Sequence, residues 1–188
     1  QALDGGFEWG GRWLRRMGLG DWFGRTGDAV AAPYAAVAGQ VVAIVNTVAE
    51  AAAAAGLDKG DAVAKALESL TGQIVAASDA DNVTAAIDLT STSVIETVID
   101  ATTSGNSTVE TAVNLVKSDI SAAVSKVNIA VSGITTSTGN ADLFYLTQSV
   151  LADSAASSVT AGTSGSVLSL LGTAADAAAV NTLSPTHP

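Results

Sequence analysis

The sequence predicts an all-α fold: a helical bundle of five or six helices with an N-terminal Trp/Arg-rich appendage. Apolar residues recur every three to four positions through most of the chain, which is the period of a helix with one buried face. The apolar residues are mainly Ala and Val, which suit helices that pack closely against one another. Stretches rich in Gly, Ser, Thr, Asn and Asp separate these patterns, as expected for helix connections.

Charge and residue counts narrow the classes of function. The 188-residue chain carries 8 Lys and Arg against 18 Asp and Glu, a balance that disfavours binding to nucleic-acid phosphates. It has no Cys, and its single His is His187, next to the C-terminal residue, which disfavours a catalytic triad or a His/Cys metal site. We therefore predict a protein that is not an enzyme and uses no metal or cofactor. A pair of carboxylates brought together by folding is the enzymatic alternative.

The composition changes near residue 28 and predicts three regions. All three Trp and all four Arg lie in the first 25 residues, whereas all four Lys follow residue 58. Residues 1–28 have no net charge, so residues 29–188 hold the whole net charge of −10. We predict a Trp/Arg-rich N-terminal segment at 1–28, an Ala/Val/Ser/Thr-rich helical domain at 29–180, and a tail or truncated linker at 181–188.

The N-terminal segment is the predicted interaction site. Helical spacing places Trp9, Trp13 and Met17 on one face and Arg12 and Arg16 on a neighbouring face. Such an aromatic and basic strip can lie in a membrane interface or in the groove of a protein partner. Alternatively, its aromatic residues cap the open end of the bundle. The candidate interaction residues are Trp9, Arg12, Trp13, Arg16, Met17, Trp22 and Phe23.

The first helix of the domain is also a candidate membrane span. Residues 29–48 contain no charge, Pro33 suits an early helical position, and the helix is predicted to continue through Glu50 to Gly56. In lipid, the polar side chains of this stretch would need partners. They are Gln40, Asn46 and Thr47. The sequence therefore fits two interpretations: a buried helix of a soluble bundle, or a transmembrane helix at about 29–48.

The second and third helices are predicted from caps and apolar faces. Residues 57–61 predict a turn and N-cap, followed by a helix that continues through Ile74 and carries Val63, Ala66, Leu67 and Leu70 on one side. A polar break follows at 78–82. Ser93 and Glu96 have the spacing of a capping box, which predicts a helix, although the Val, Ile and Thr content after residue 90 also fits a strand.

The longest regular pattern predicts one helix over residues 107–134. Ser107 and Glu110 have capping-box spacing, and apolar residues then recur every three or four positions. We call this row the apolar seam; it consists of Val109, Val113, Val116, Ile120, Ala123, Val127, Val131 and Ile134. A further helix capped by Asn140 carries Leu143, Phe144, Leu146, Val150 and Leu151. After a break at 160–166, a last helical segment is predicted at 167–180.

Several stretches resemble a known kind of module. These are "GLDKGDAVAKAL", "IDLTSTSVIETVID", the seam helix with Asn128, and "LTQSVLADSAASSV". Across roughly residues 29–160, their pattern resembles the Ala-rich helical modules of large secreted bacterial surface proteins of the RTX-adhesin type. The resemblance implies a structural or spacer role in an extracellular protein whose neighbouring repeats bind calcium. Because the chain lacks the Gly-Gly-x-Gly-x-Asp nonapeptide of that family, we expect no calcium in this chain.

The expected function is that of a non-enzymatic, extracellular structural or interaction module of a bacterial surface protein or assembly. Its expected partners are other proteins or copies of itself. The alternative is a membrane-anchored accessory subunit, with the N-terminal segment in the interface, one span at about 29–48 and an acidic soluble body.

Overall fold

The computed structural model describes residues 32–79, 87–132 and 140–173 and confirms the all-α class. These residues form seven α-helices and no strand. The helices are α1 (Ala32–Ala54), α2 (Lys59–Asp79), α3 (Thr92–Thr103), α4 (Ser107–Asn114), α5 (Lys117–Ser132), α6 (Asn140–Ala161) and α7 (Ser166–Thr173). Residues 92–103 are thus helical rather than extended. The predicted segment 1–28 and tail 181–188 lie outside the described residues.

Helix α1 occupies the centre of the bundle. It packs against α2, α3, α4, α5 and α6. Its buried side chains are mostly small and lie on several sides of the helix, and include Ala43, Ile44, Val48, Ala49 and Ala52. Small side chains allow neighbouring helices to approach closely on each of these sides. The Ala-rich sequence of α1, which has no charged residue before Glu50, therefore fits burial among helices.

The connection between α1 and α2 has the expected turn and cap. Gly56 has φ +107° and ends α1 with a Schellman motif, in which the Leu57 N–H donates to the Ala52 carbonyl at 3.1 Å. Asp58 caps α2, because its Oδ1 accepts hydrogen bonds from the N–H groups of Gly60 and Asp61 at 2.8 and 3.1 Å. The two helices therefore run antiparallel from a short, well-defined corner.

Gly56→Ala is expected to destabilise the protein by about 1–2 kcal/mol, the cost of a left-handed conformation for a residue with a Cβ. No atom lies within 4 Å of the position of the added Cβ, so the backbone alone sets this cost. Gly72→Ala, equally uncrowded inside α2, is the matched control and is expected to stabilise by about 0.5–1 kcal/mol. Equilibrium unfolding in urea measures both changes, and equal signs would contradict the assignment.

The apolar seam is buried as predicted, but it occupies two helices rather than one. Every described member from Val109 to Val131 is at most 5% exposed, and Ile134 lies outside the described residues. The long-helix prediction is wrong at Leu115, where α4 ends. The Val116 N–H donates to the carbonyl of Val113, three residues back, and Leu115 turns outward. One tightened turn redirects the chain without interrupting the seam, and the described residues therefore form seven helices rather than six.

Both predicted capping boxes are wrong in detail. Helix α3 begins at Thr92, which places Ser93 inside it, and the Glu96 carboxylate accepts instead from the Ser121 hydroxyl of α5 at 3.1 Å. Helix α4 is capped one residue early by Asn106, whose Oδ1 accepts from the Val109 N–H at 3.2 Å. The Glu110 carboxylate closes this turn by accepting from the Gly105 N–H at 3.0 Å.

The remaining predicted elements are largely in place. On α2, Ala66 and Leu70 are buried and Val63 and Leu67 are half-buried, and the buried Ala62 extends the predicted face. Helix α2 continues to Asp79, two residues into the predicted polar break. Helix α6 begins at Asn140 as expected and ends before Gly162, within the predicted break. Helix α7 covers the first part of the predicted 167–180 segment; the part beyond residue 173 is not described.

The helices define two ends of the bundle. We call the end at which α1 begins the apical end and the end with Gly56 the basal end. Helix α3 runs back towards the basal end, where Lys65 Nζ donates to the Ser104 carbonyl at 2.9 Å. Helix α5 returns apically, passing from the Lys117–Asp100 ion pair to the contact of Ser125 with Thr90. The described parts of α1, α2 and α5 thus all have one terminus at the apical end.

Candidate interaction surface

The seven candidate interaction residues of the N-terminal segment lie outside the described residues. They are Trp9, Arg12, Trp13, Arg16, Met17, Trp22 and Phe23. The segment joins the described chain at Ala32, the first residue of α1. Its point of attachment is therefore the apical end of the bundle, which makes the exposed side chains at that end the relevant surface.

Three half-exposed aliphatic side chains lie at one level of the apical end. Val37 on α1 and Val75 on α2 are each 52% exposed, and each lies nineteen residues from Gly56 along an antiparallel helix pair. Ile129 on α5 is 48% exposed and follows Asn128, whose backbone carbonyl accepts a hydrogen bond from Gln40, one turn from Val37. We call Val37, Val75 and Ile129 the apical patch; α1 packs against both α2 and α5, whereas α2 and α5 are not a packed pair, so these are three exposed positions at one level rather than one continuous surface.

The exposed large apolar side chains are concentrated rather than scattered. Tyr34 and Ile74 also lie at the apical end, so five of the seven such side chains among the described residues are found there. Leu115, at the basal junction of α4 and α5, and Leu170 on α7 are the other two. Single exposed apolar residues are ordinary on soluble proteins, and their bias towards one end is the reason to take that end as the candidate contact surface.

Beneath the apical patch, a buried polar junction joins α1, α5 and the turn before α3. Asn128 is fully buried and its Nδ2 donates to the Leu89 carbonyl at 2.6 Å. Gln40 Nε2 donates to the Asn128 carbonyl at 2.9 Å, and the Ser125 hydroxyl donates to the Thr90 carbonyl at 2.5 Å. The carbonyls of Leu89 and Thr90 lie before the start of α3, and the side chains of Asn128 and Ser125 satisfy them and so hold the turn against α5.

The polar residues of α1 have different environments. Gln40 has a protein partner in the junction, whereas the buried Thr47 hydroxyl has none among the described residues. Asn46 is half-buried. Asn128 Oδ1 is likewise buried with no hydrogen-bond partner in the described part of the chain. The junction is therefore rich in donors to carbonyl groups and poorly suited to any additional negative charge.

The turn that carries Leu89 and Thr90 is closed by Asp88. The Thr90 hydroxyl and then the Thr90 N–H hold the pKa of the Asp88 carboxyl below its ordinary value, because both donate to Oδ1, at 2.6 and 2.9 Å. A carboxyl group whose pKa is lowered by folding stabilises the folded state at pH values above its unfolded pKa. This stabilisation is lost as the pH falls through the lower pKa of the folded state. The turn is thus strengthened at neutral pH and weakened in acid.

Thr90→Val is expected to raise the pKa of Asp88 towards its ordinary value, because the hydroxyl donor is removed and only the N–H is kept. Thr90→Ser, which retains a hydroxyl, is the control. The stability difference between wild type and Thr90→Val is expected at neutral pH and should shrink below about pH 4. Carboxyl carbon chemical shifts measured against pH test the pKa, and equal values in the three proteins would contradict the assignment.

The other polar features of the described surface are sparse. Ion pairs join Lys59 to Glu50 and Lys117 to Asp100. An open cleft of about 350 Å³ lies between α6 and the start of α7, lined by Ser154, Ser158, Thr163 and neighbouring residues, with Asp153 as its one carboxylate among the described residues. No cluster of three or more His, Asp or Glu side chains occurs within the described ranges.

Helix α1 also meets the length and composition of a membrane span. The 19 residues from Ala36 to Ala54 have a mean hydropathy of 1.5, and 56% of this stretch is buried inside the bundle. A core helix of a soluble protein and a membrane span share these properties. The packing of five helices around α1 is the feature that its sequence did not reveal.

Sequence reasoning found the apolar faces but missed both features of the apical end. Asn128 was visible only as one polar residue on a seam helix, and its partner Gln40 lies 88 positions away. Val37 and Val75 are ordinary members of apolar helices until the turn at Gly56 brings them to one level. Comparison of the chain with family models, curated proteins and solved structures gave no match.

Proposed function

We propose that the protein is a non-enzymatic structural or interaction module of an extracellular bacterial surface protein or assembly. Its helical body acts as a rigid support, and its Trp/Arg-rich N-terminal segment makes contact with copies of the chain or with other proteins. One observation carries this proposal: the exposed apolar side chains of the body are grouped at the end where that segment is attached.

The interior supports a rigid body. Its side chains are predominantly Ala, Val and Ile, packed around α1. The polar junction of Gln40 and Asn128 joins α1, α5 and the turn at Leu89 by hydrogen bonds. Branched side chains have few rotamers, and satisfied buried polar groups select one packing arrangement. A body of this kind holds a contact surface in a fixed geometry.

The N-terminal segment supplies the residue types that dominate protein contacts. Trp and Arg are enriched among the residues whose truncation weakens protein interfaces most. All three Trp and all four Arg of the chain lie in this segment. Residues 29–188 hold the whole net negative charge, and the Arg side chains of the N-terminal segment are attracted to it in any copy. The extracellular setting is supported by the resemblance to secreted surface proteins and by a sequence rich in Ser and Thr with only four Lys.

Self-association tests the contact role. Light scattering of the full chain in buffer without detergent should show a mass that rises with protein concentration. Replacing Trp9, Trp13 and Trp22 together by Ala should abolish the rise, whereas replacing all three by Phe, which keeps aromatic surface, should preserve most of it. A wild-type mass that stays monomeric at every concentration would overturn binding between copies.

The second candidate is a membrane-anchored accessory subunit, favoured by the length and hydropathy of α1. In that arrangement α1 leaves the bundle and crosses the bilayer, with the arginines of the N-terminal segment on the cytoplasmic side. The same preparation separates the candidates. A monodisperse protein in aqueous buffer supports the free module, and strict dependence on detergent supports the anchored subunit.

A further inference from the structure

We propose that Asn106 is an N-glycosylation site and that the chain carries a sugar at the basal end of the bundle. The inference rests on the proposed function for its extracellular setting, and goes beyond it by assigning a modified residue and the class of group attached to it. That group is a hexose or an oligosaccharide transferred from an activated phosphate donor. The atom that attacks the donor is Asn106 Nδ2.

The acceptor sequence is complete in residues 106–108. Asn106, Ser107 and Thr108 have the form Asn-x-Ser/Thr in which x is not Pro. The hydroxyl residue two positions after the Asn is part of this acceptor, so residue 108 tests it separately from the Asn. Because the attached sugar is bulky and hydrophilic, the acceptor has to lie on the surface of the folded protein.

The structure places the acceptor in an exposed turn between α3 and α4. Ser104, Gly105, Ser107 and Thr108 are exposed, and Asn106 is half-buried. Gly105 has φ +85°, and no atom beyond the adjacent residues lies within 4 Å of the position that a Cβ would take there. The space beside the turn is therefore open to a bulky group.

The cap of α4 uses the amide atom that glycosylation leaves unchanged. Asn106 Oδ1 accepts from the Val109 N–H at 3.2 Å, and the Glu110 carboxylate holds the same turn by accepting from the Gly105 N–H at 3.0 Å. Attack by Nδ2 replaces one of its two hydrogens with a sugar carbon, and the side-chain carbonyl oxygen remains an acceptor. The modified residue therefore still caps α4.

The transfer balances without an oxidant or a reductant. The bond between Nδ2 and the sugar C1 forms as the bond between C1 and the donor's phosphate oxygen breaks. The diphosphate leaves with the electron pair, and one amide proton passes to a base of the transferase. Two donors share this chemistry, a nucleotide diphosphate sugar and a lipid diphosphate oligosaccharide. The mass of the attached group distinguishes them, because the first adds single hexoses and the second adds a preassembled oligosaccharide.

The position of Asn106 is compatible with the contact role of the protein. Asn106 follows the end of α3 at the basal end, where Lys65 contacts the Ser104 carbonyl, whereas the N-terminal segment joins the body at the apical end. A sugar at the basal end adds hydrophilic surface and leaves the apical end uncovered. The two ends therefore have different roles, solvation at one and protein contact at the other.

Mass spectrometry of the full chain purified from its source cells tests the proposal. Cleavage after Glu96 and Glu110 places Asn106 on the peptide 97–110. The second Asn-x-Ser/Thr match begins at Asn82, outside the described residues, and falls on a different peptide. We expect peptide 97–110 to carry a sugar on Asn106 Nδ2 in most copies of the chain. An unmodified peptide, or a sugar attached only to a hydroxyl side chain of this peptide, would overturn the proposal.

Two substitutions on α4 form a matched pair. Thr108→Ala removes the acceptor hydroxyl but keeps Asn106 and its cap, so it should abolish the sugar on Asn106. Thr111→Ala makes the same change at an exposed Thr one turn later, outside the acceptor sequence, and should leave the modified fraction unchanged. Thr108→Ser keeps a hydroxyl and should retain the sugar. Equal modification of wild type and Thr108→Ala would contradict the assignment.

Asn106→Asp separates the modification from the cap. The carboxylate has no amide nitrogen to modify, and Asp is as good an N-cap residue as Asn. The variant should therefore lack the sugar and have the same circular dichroism as the wild type, which separates loss of the acceptor from loss of folding. A sugar that persists on peptide 97–110 of this variant would show that another residue is modified.

The two proposals fail in distinguishable ways. A secreted chain whose peptide 97–110 is unmodified would retain the extracellular module and remove the glycosylation site. A chain that is modified at Asn106 but never self-associates would retain the site and remove binding between copies.

Discussion

Asn128→Asp is expected to destabilise the protein by about 3–5 kcal/mol at neutral pH, the cost of an uncompensated buried charge. Asn128 is fully buried, and its Nδ2 donates to the carbonyl of Leu89. The aspartate has no donor at that position, so one carboxylate oxygen faces a carbonyl oxygen. Asn128 Oδ1 already has no partner among the described residues, so nothing there compensates the charge.

The same substitution at Asn114 is the matched control. Asn114 is exposed at the end of α4, and Asn114→Asp is expected to change stability by no more than about 0.5 kcal/mol, as for surface substitutions generally. Urea unfolding at neutral pH compares the two, and the effect of Asn128→Asp should decrease in acid as the carboxyl becomes protonated. Equal effects of the two substitutions would show that the junction is hydrated or open.

Ile120→Ala is expected to destabilise by about 2–5 kcal/mol, the range for truncating a large core side chain. Ile120 is fully buried in the apolar seam at the start of α5, where the helix packs between α1, α3 and α7. The loss combines apolar surface no longer buried with the cavity left behind. Ile120 is the largest described side chain of the seam, so its truncation removes the most buried apolar surface.

Leu115→Ala serves as the control for that truncation. Leu115 belongs to the same stretch of chain but is 65% exposed, so its truncation should cost no more than about 0.5 kcal/mol. Thermal and urea unfolding of the two variants measure the difference. If Leu115→Ala were as unstable as Ile120→Ala, Leu115 would be a buried residue. The junction of α4 and α5 at Leu115 would then be wrong.

Local patterns were sufficient for the fold class and most helices. The seam from Val109 to Val131 is buried along its described length because its spacing depends only on helix geometry. The Asp58 cap and the Gly56 terminus were also readable, since each uses atoms within a few residues of itself. Helix faces, caps and termini depend on residues close together in the sequence and hardly on the rest of the fold.

Other features were beyond local reasoning. The bend at Leu115 carries no Gly or Pro; it permits α4 and α5 to pack against different neighbours, which no local pattern records. The spacing of Ser93 and Glu96 predicted a capping box, but the Glu96 carboxylate accepts a hydrogen bond from Ser121, 25 positions away. The polar junction and the apical patch likewise join distant parts of the chain, and both depend on the order in which helices pack.

The position of α1 bears on both proposed settings. Its Ala-rich sequence fits a bilayer as well as a protein core. In the bundle, Gln40 reaches the backbone of Asn128, and small side chains on several sides of α1 contact other helices. The free module requires that these contacts persist in solution, and the anchored subunit requires that they are given up.

Hydrogen exchange of the full chain in buffer without detergent tests this central point most directly. If α1 is the core of a soluble bundle, the amides from Ala43 to Ala52 should be among the slowest to exchange and should open only with global unfolding. Fast exchange of these amides, with protection restored only by lipid or detergent, would contradict the account.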